Sequence, residues 1–199
     1  MEYRDISTDT QSRYRLAAQE HVVFFILNRT GSITIELTGP GATAHIFALY
    51  TGHRTESPSL TLTQQHLAPE TTSSALVKAA LAGTSAFTYA GTIRISPDAH
   101  RSNATQESRN LLLSNGARAQ ARPSLEILAH DVICHHAATT APLDPEQLFF
   151  AGSRGLTRKQ ATQLLVDGFF NDALQKMETL VGKENLSKLR GNVSLSLQI

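Results

Sequence analysis

Apolar and polar residues alternate in short stretches over the first two thirds of the chain. Ile33, Ile35 and Leu37 interleave with Ser32, Thr34 and Glu36, the period of two that marks a half-buried strand. Gly39-Pro40-Gly41 breaks this run, and Thr43 to Tyr50 reads as the next extended stretch. Leu60 to Thr63, Thr92 to Ile95, Leu111 to Leu113, Leu125 to Leu128 and Val132 to Cys134 complete a series of short strands between Glu20 and about Leu143. No helix-length periodic segment separates the later ones, which argues against alternating strands and helices. The pattern leaves a sandwich, a barrel or a solenoid open.

After Leu143 the period becomes helical. Asp144-Pro145 places a capping carboxylate before a proline suited to the first helical position, and this helix should end near Gly152 or Gly155. Thr157-Arg158-Lys159-Gln160 has the form of a capping box, followed by Ala161, Leu164, Leu165, Gly168 and Phe169 on one stripe. A third helix is expected from Asp172, with Leu174, Met177 and Val181 inward. Leu186 and Leu189 extend it or form a fourth, and Val193 to Leu197 alternates again. The expected organisation is a β body over 1–143 and a small α-helical C-terminal domain over 144–199.

Composition narrows the function classes. Of 199 residues 41% are hydrophobic, enough for a core, and 18 Lys and Arg against 17 Asp and Glu leave a net charge of +1. So even a balance offers no field for nucleic acid or an anionic membrane surface. The longest early apolar run, Val22 to Leu27, is too short to span a bilayer, and Met1 to Asp5 does not resemble a leader. A cytoplasmic location is therefore expected, with Cys134, the single cysteine, as a thiol.

The densest reactive cluster is His130-Asp131-Val132-Ile133-Cys134-His135-His136. On an extended strand Cys134 and His136 share a face, presenting sulfur and nitrogen side by side, a soft pair suited to iron, zinc or copper(I). Two ligands do not complete a tetrahedral site, which would need a second chain, an exogenous ligand, or distant residues such as His66 and His100. The plainer reading is a core cysteine beside a histidine that caps backbone groups. Side chains two apart on a strand project in parallel, which disfavours a Cys/His nucleophile, and no nucleophile elbow, phosphate loop or zinc-protease motif occurs. An enzyme is not expected. Leu148, Phe149, Phe150, Phe169 and Phe170 are many large apolar residues for two short helices, and those not packed on the β body would serve a partner.

Several segments together resemble the SufB/SufD family of iron–sulfur cluster assembly proteins. They are Tyr89 to Ile93, Asn103 to Gln106, Asn110 to Ser114, Pro123 to Ile127, Asp131 to Thr139, Leu143 to Phe150 and Ser153 to Gly155, in order from about His66 to Phe170. The resemblance implies a right-handed parallel β-helix capped by a C-terminal helical domain. It also implies a scaffold role with a SufC-like ABC ATPase, docked on the helical domain through Leu148, Phe149, Phe150, Arg154, Leu164 and Phe169. The family's SufD-type motif Cys-Ser-His-Gly-Ala-Thr falls on Cys134 to Thr139, which puts His136 at the histidine implicated in cluster assembly between subunits. No stably bound cofactor is expected, only a transient iron–sulfur cluster at an interface with a SufB-like partner or a second copy. His135 and Ala137 depart from the motif, and Ala137 replaces the Glu typical of SufB, so the chain is SufD-like. At about half the usual family length, it is expected to lack the family's N-terminal helical domain and early solenoid turns. The alternative is a divergent interaction protein without cluster chemistry.

Overall fold

The computed structural model describes residues 1–183. Eleven strands precede two helices: β1 (Glu2–Asp5), β2 (Arg13–Leu16), β3 (His21–Leu27), β4 (Gly31–Leu37), β5 (Thr43–Gly52), β6 (Ser59–His66), β7 (Thr72–Leu81), β8 (Ala86–Ile95), β9 (Asn103–Leu112), β10 (Arg118–Ile127), β11 (Ile133–Pro142), α1 (Pro145–Ser153) and α2 (Arg158–Val181). Odd strands form one sheet in the order β1-β3-β5-β7-β9-β11 and even strands the other, β10-β8-β6-β4-β2. Every pairing is parallel, so each rung gives one strand to each sheet and the chain winds a parallel β-solenoid. The expected β-helix with C-terminal helices is the fold observed.

The rungs are held in step at a repeated corner. The residue two positions before each later strand of the odd sheet (Gln19, Gly41, Glu70, Arg101 and Asp131) has a positive φ between 56° and 71°. Their backbone N–H groups donate along the stack: Gln19 to Pro40 O, Gly41 to Pro69 O, Glu70 to His100 O and Arg101 to Asp131 O. Four of the five corners place a non-glycine residue in the left-handed region, and at Gln19, Glu70 and Arg101 the ladder bonds offset its cost.

In-register stacking sorts side chains into inner and outer columns. The inner columns of the first rungs are apolar: Val22, Phe24 and Ile26 on β3, Ile46, Ala48 and Tyr50 on β5, Ile33, Ile35 and Leu37 on β4. Toward the last rungs the interior turns polar, with Gln64 and His66 on β6, Ser73 on β7, and Gln106, Ser108 and Asn110 on β9 all buried. The outer face of the odd sheet carries Val23, Phe25, Phe47, Leu49 and Leu76, which pack under α2.

The helices differ in part from expectation. Asp144 caps α1 by accepting from the Glu146 N–H at 2.8 Å, and Thr157 with Gln160 forms the full capping box of α2. No helix starts at Asp172, because α2 runs unbroken through Gly168 to Val181. Its buried stripe is Ala161, Val166, Phe170, Ala173, Leu174 and Met177, so Ala161 faces inward as expected, whereas Leu164 and Gly168 face outward and Phe169 is only half-buried. Asp172 instead anchors the helix to the sheet. Its carboxylate accepts from Lys78 at 2.8 Å, and Lys78, fully buried under the helix, also donates to the Phe169 carbonyl and lies over the Phe169 ring. Burial pushes the Lys78 ammonium down, opposed by Asp172, whose own carboxyl is held below its usual range by that bond. Lys78→Met keeps the stem and removes both bonds, leaving half-exposed Asp172 to Lys176 and Arg109, each at 3.5 Å. A loss of about 1–2 kcal/mol in chemical denaturation is expected, since the orphaned carboxylate reaches water. Leu186, Leu189 and Val193 to Leu197 lie outside the described residues.

Candidate functional site

Among the described residues β11 and β10 are the last strands of their sheets, so the final rung presents its free edge. Cys134 pairs with Ala104 and His136 with Gln106, which places both in the inner column at that edge. The period-two reading that put them on one face holds. Cys134 is half-buried against Ile93, Ile95, Ala99, Ala104 and Ala129, and this burial pushes its thiol above the ordinary range. It is therefore a neutral thiol at neutral pH, and a thiolate there requires a metal or a nearby cation. His136 is exposed.

The other candidate ligands lie elsewhere. His66 is buried, hydrogen-bonded to Thr71 Oγ1 at 2.7 Å and Ser73 Oγ at 2.8 Å. His100 Nδ1 lies 3.3 Å from the His130 carbonyl. Among the described residues no group of three or more His, Cys, Asp and Glu side chains is placed to hold a metal ion, so the chain does not bring His66 or His100 to the pair. His135 points to the outer face, in a column with His45, Ser74 and Thr105. His45 Nδ1 is bonded to Ser74 Oγ at 2.6 Å, and burial lowers its imidazole below its usual range, reinforced by His21.

The polar interior directly inside this end has little signature in the sequence. Gln64 Oε1, Tyr89 OH, Asn110 Oδ1 and both amide atoms of Gln106 are buried without a hydrogen-bond partner. One local signal exists: Gly91 interrupts an otherwise apolar inner run on β8, and a glycine inside a strand marks a close approach. A Cβ there would run into the Gln106 amide and come within 2.5 Å of the Tyr89 hydroxyl.

The helical end presents an apolar surface. Phe149, Phe150 and Leu164 are 79%, 61% and 57% exposed, and the Arg154 guanidinium lies 5.2 Å over the Phe150 ring. Leu148 is half-buried beside a groove that α1 forms with Leu112, Leu113, Pro142 and Leu143. Phe169 does not join this surface, since it stacks edge-on against Phe170 at 5.1 Å and packs toward the odd sheet. No helix of the described residues is long and apolar enough to cross a membrane.

Residues 14–169, from the second strand into α2, match the family described as SUF system FeS cluster assembly, SufBD core domain. The chain is 33% identical over 163 residues to an iron–sulfur cluster assembly SufBD family protein of Mycobacterium leprae, covering 78% of this chain and 42% of the relative. A SufBD family protein of Mycobacterium tuberculosis is 32% identical over 164 residues, 78% of this chain and 41% of its own. The iron–sulfur cluster assembly protein SufD of Bacillus subtilis is 38% identical over 89 residues, 45% of this chain and 20% of its own. The chain thus spans about two fifths of the mycobacterial relatives. A match that takes in the parallel rungs, the Cys134–His136 edge and the start of the helical end is one of whole architecture, and the chain belongs to the SufBD family of iron–sulfur cluster assembly proteins.

Proposed function

We propose that this chain is a non-enzymatic scaffold subunit of a cytoplasmic SUF-type assembly complex. A SufC-like ABC ATPase docks on the helical end, with Phe149, Phe150, Leu164, Leu148 and Arg154 as its contact surface. A SufB-like subunit, or a second copy, covers the free edge of the last rung. Iron and sulfide are cargo there, held transiently by Cys134, His136 and ligands from the second subunit. The observation that carries this reading is that a sulfur and a nitrogen ligand share the inner column of a strand that is the last of its sheet among the described residues, which bring no third ligand to close a site. An edge with free backbone groups and exposed Leu128 and Ile133 beside it favours a neighbouring strand as cover.

The test is co-expression with the SufB-like and SufC-like proteins of the same organism. His136→Ala and Cys134→Ala are expected to leave the complex intact in size-exclusion chromatography. Cluster content should fall about tenfold or more, the scale expected when a ligand or its support is removed. Phe149→Ser is expected to release the ATPase alone. An interaction protein without cluster chemistry is the second reading, and the packing of half-buried Cys134 against Ile93, Ile95 and Ala104 favours it. Unchanged iron and sulfide in both Ala variants would establish that alternative.

A further inference from the structure

Gln106 is a buried group that the fold leaves unsatisfied. It is 3% exposed on the inner face of β9, and neither Nε2 nor Oε1 has a partner. Such a group is expensive to keep dry, and its retention calls for a cause. Its ladder neighbours are Ala75, deeper in the stack, and His136, one rung toward the free edge. Across the interior, Gly91 has no Cβ where the amide lies.

The amide nitrogens of the other buried amides nearby are committed. Gln64 Nε2 donates to Ser73 Oγ at 2.6 Å and to the Thr105 carbonyl at 3.2 Å. Asn110 Nδ2 donates to the Thr139 carbonyl at 3.3 Å and Thr140 Oγ1 at 3.2 Å. Gln106 keeps both donor hydrogens free, next to the one imidazole of the last inner column.

We propose that Gln106 is a third polar contact of the Cys134–His136 end, its amide N–H donating to sulfur of an iron–sulfide cargo seated there. This rests on the scaffold reading above. Sulfide and thiolate sulfurs accept hydrogen bonds, and donors to them tune a cluster's reduction potential and retention. Gly91 provides the space that the amide occupies, and His136, its ladder neighbour toward the free edge, supplies the ligand nitrogen. No covalent or redox step is assigned to Gln106.

The experiment uses the complex with the SufB-like and SufC-like proteins, reconstituted anaerobically with ferrous iron and sulfide. Gln106→Leu is expected to leave folding and complex formation intact. Its cluster should have a lower reduction potential and be lost to a chelator about tenfold faster. Gly91→Ala, which crowds the amide without deleting it, is expected to shift the potential in the same direction, and it decides the matter if Gln106→Leu does not fold. A cluster with wild-type potential and chelator kinetics in the folded variant overturns the role of Gln106 and leaves the scaffold reading standing. A wild-type complex that takes up no iron and sulfide overturns the scaffold reading and this inference with it.

Discussion

Phe170→Ala is expected to remove about 3–5 kcal/mol of stability, the usual cost of deleting a fully buried aromatic ring. Phe170 sits at the centre of the contact between α2 and the outer face of the odd sheet, fully buried among Val23, Phe25, Phe47, Leu49 and Leu76 from the sheet and Val166, Leu174 and Met177 from the helix. This cluster is separate from the one inside the solenoid. The loss should therefore first appear as faster hydrogen exchange along α2, with the inner strands protected, and then as a lower denaturation midpoint. Phe169→Ala is the comparison. That ring is half-buried, and its truncation should cost about 1–2 kcal/mol, clearly less. A larger effect at Phe169 than at Phe170 would mean that α2 docks through the Leu164, Leu165, Gly168 and Phe169 side expected from the sequence, and not through the Val166 and Phe170 side observed.

That misassigned stripe shows where local pattern stops being informative. The helix starts were legible because a cap is a local event: Asp144 before Pro145, and Thr157 with Gln160, satisfy backbone donors within three residues. The continuity of α2 was not, because Asp172 is engaged by Lys78, 94 positions away, and so caps no helix. Strands β4 and β5 and the first half of β6 were visible because Ile33, Ile35 and Leu37, Ile46 and Tyr50, and Leu60 and Leu62 stand at their inner positions, and β3 showed as the apolar run Val22 to Leu27. β7 and β9 were mostly hidden, and β10 and β11 showed only at one end, because inner positions there are often Ala, Ser, Gln or Asn, while Gly91 cut the inner run of β8. β1 and β2, four residues each, are too short to show a period. The corners gave little sign either, since only Gly41 among Gln19, Gly41, Glu70, Arg101 and Asp131 is a residue that favours positive φ freely. Cys134 and His136 were placed on one face by period alone. That Gln106 stands next to His136 follows only from pairing two strands thirty residues apart, which family resemblance implies and composition does not.

The polar interior also makes stability sensitive to acid, through His66. Its ring is enclosed, and the bonds around it assign its tautomer. Thr71 Oγ1 donates to the Ala68 carbonyl at 3.1 Å and so accepts from His66 Nδ1–H, while Ser73 Oγ accepts from Gln64 Nε2 and donates to His66 Nε2. Both ring nitrogens are thus satisfied with the imidazole neutral, and a second proton would have to displace the Ser73 hydroxyl inside a chamber with no carboxylate in contact. Burial accordingly lowers the imidazole from 6.5 to about 4. The unfolded chain takes up this proton below pH 6.5 and the folded chain does not, so folding stability is complete above pH 6.5 and falls as the pH drops toward 4. At about 1.4 kcal/mol per pH unit the loss across that window is about 3 kcal/mol. His45, also lowered by burial, adds to it with the same sign, while Asp172, depressed by Lys78, contributes below the ordinary carboxylate range. Urea denaturation at stepped pH should therefore show a falling midpoint between pH 6.5 and 4, and His66→Gln should flatten most of that slope while lowering stability at pH 7. A slope unchanged by His66→Gln would mean that water reaches the ring and that the interior of the last rungs opens in solution.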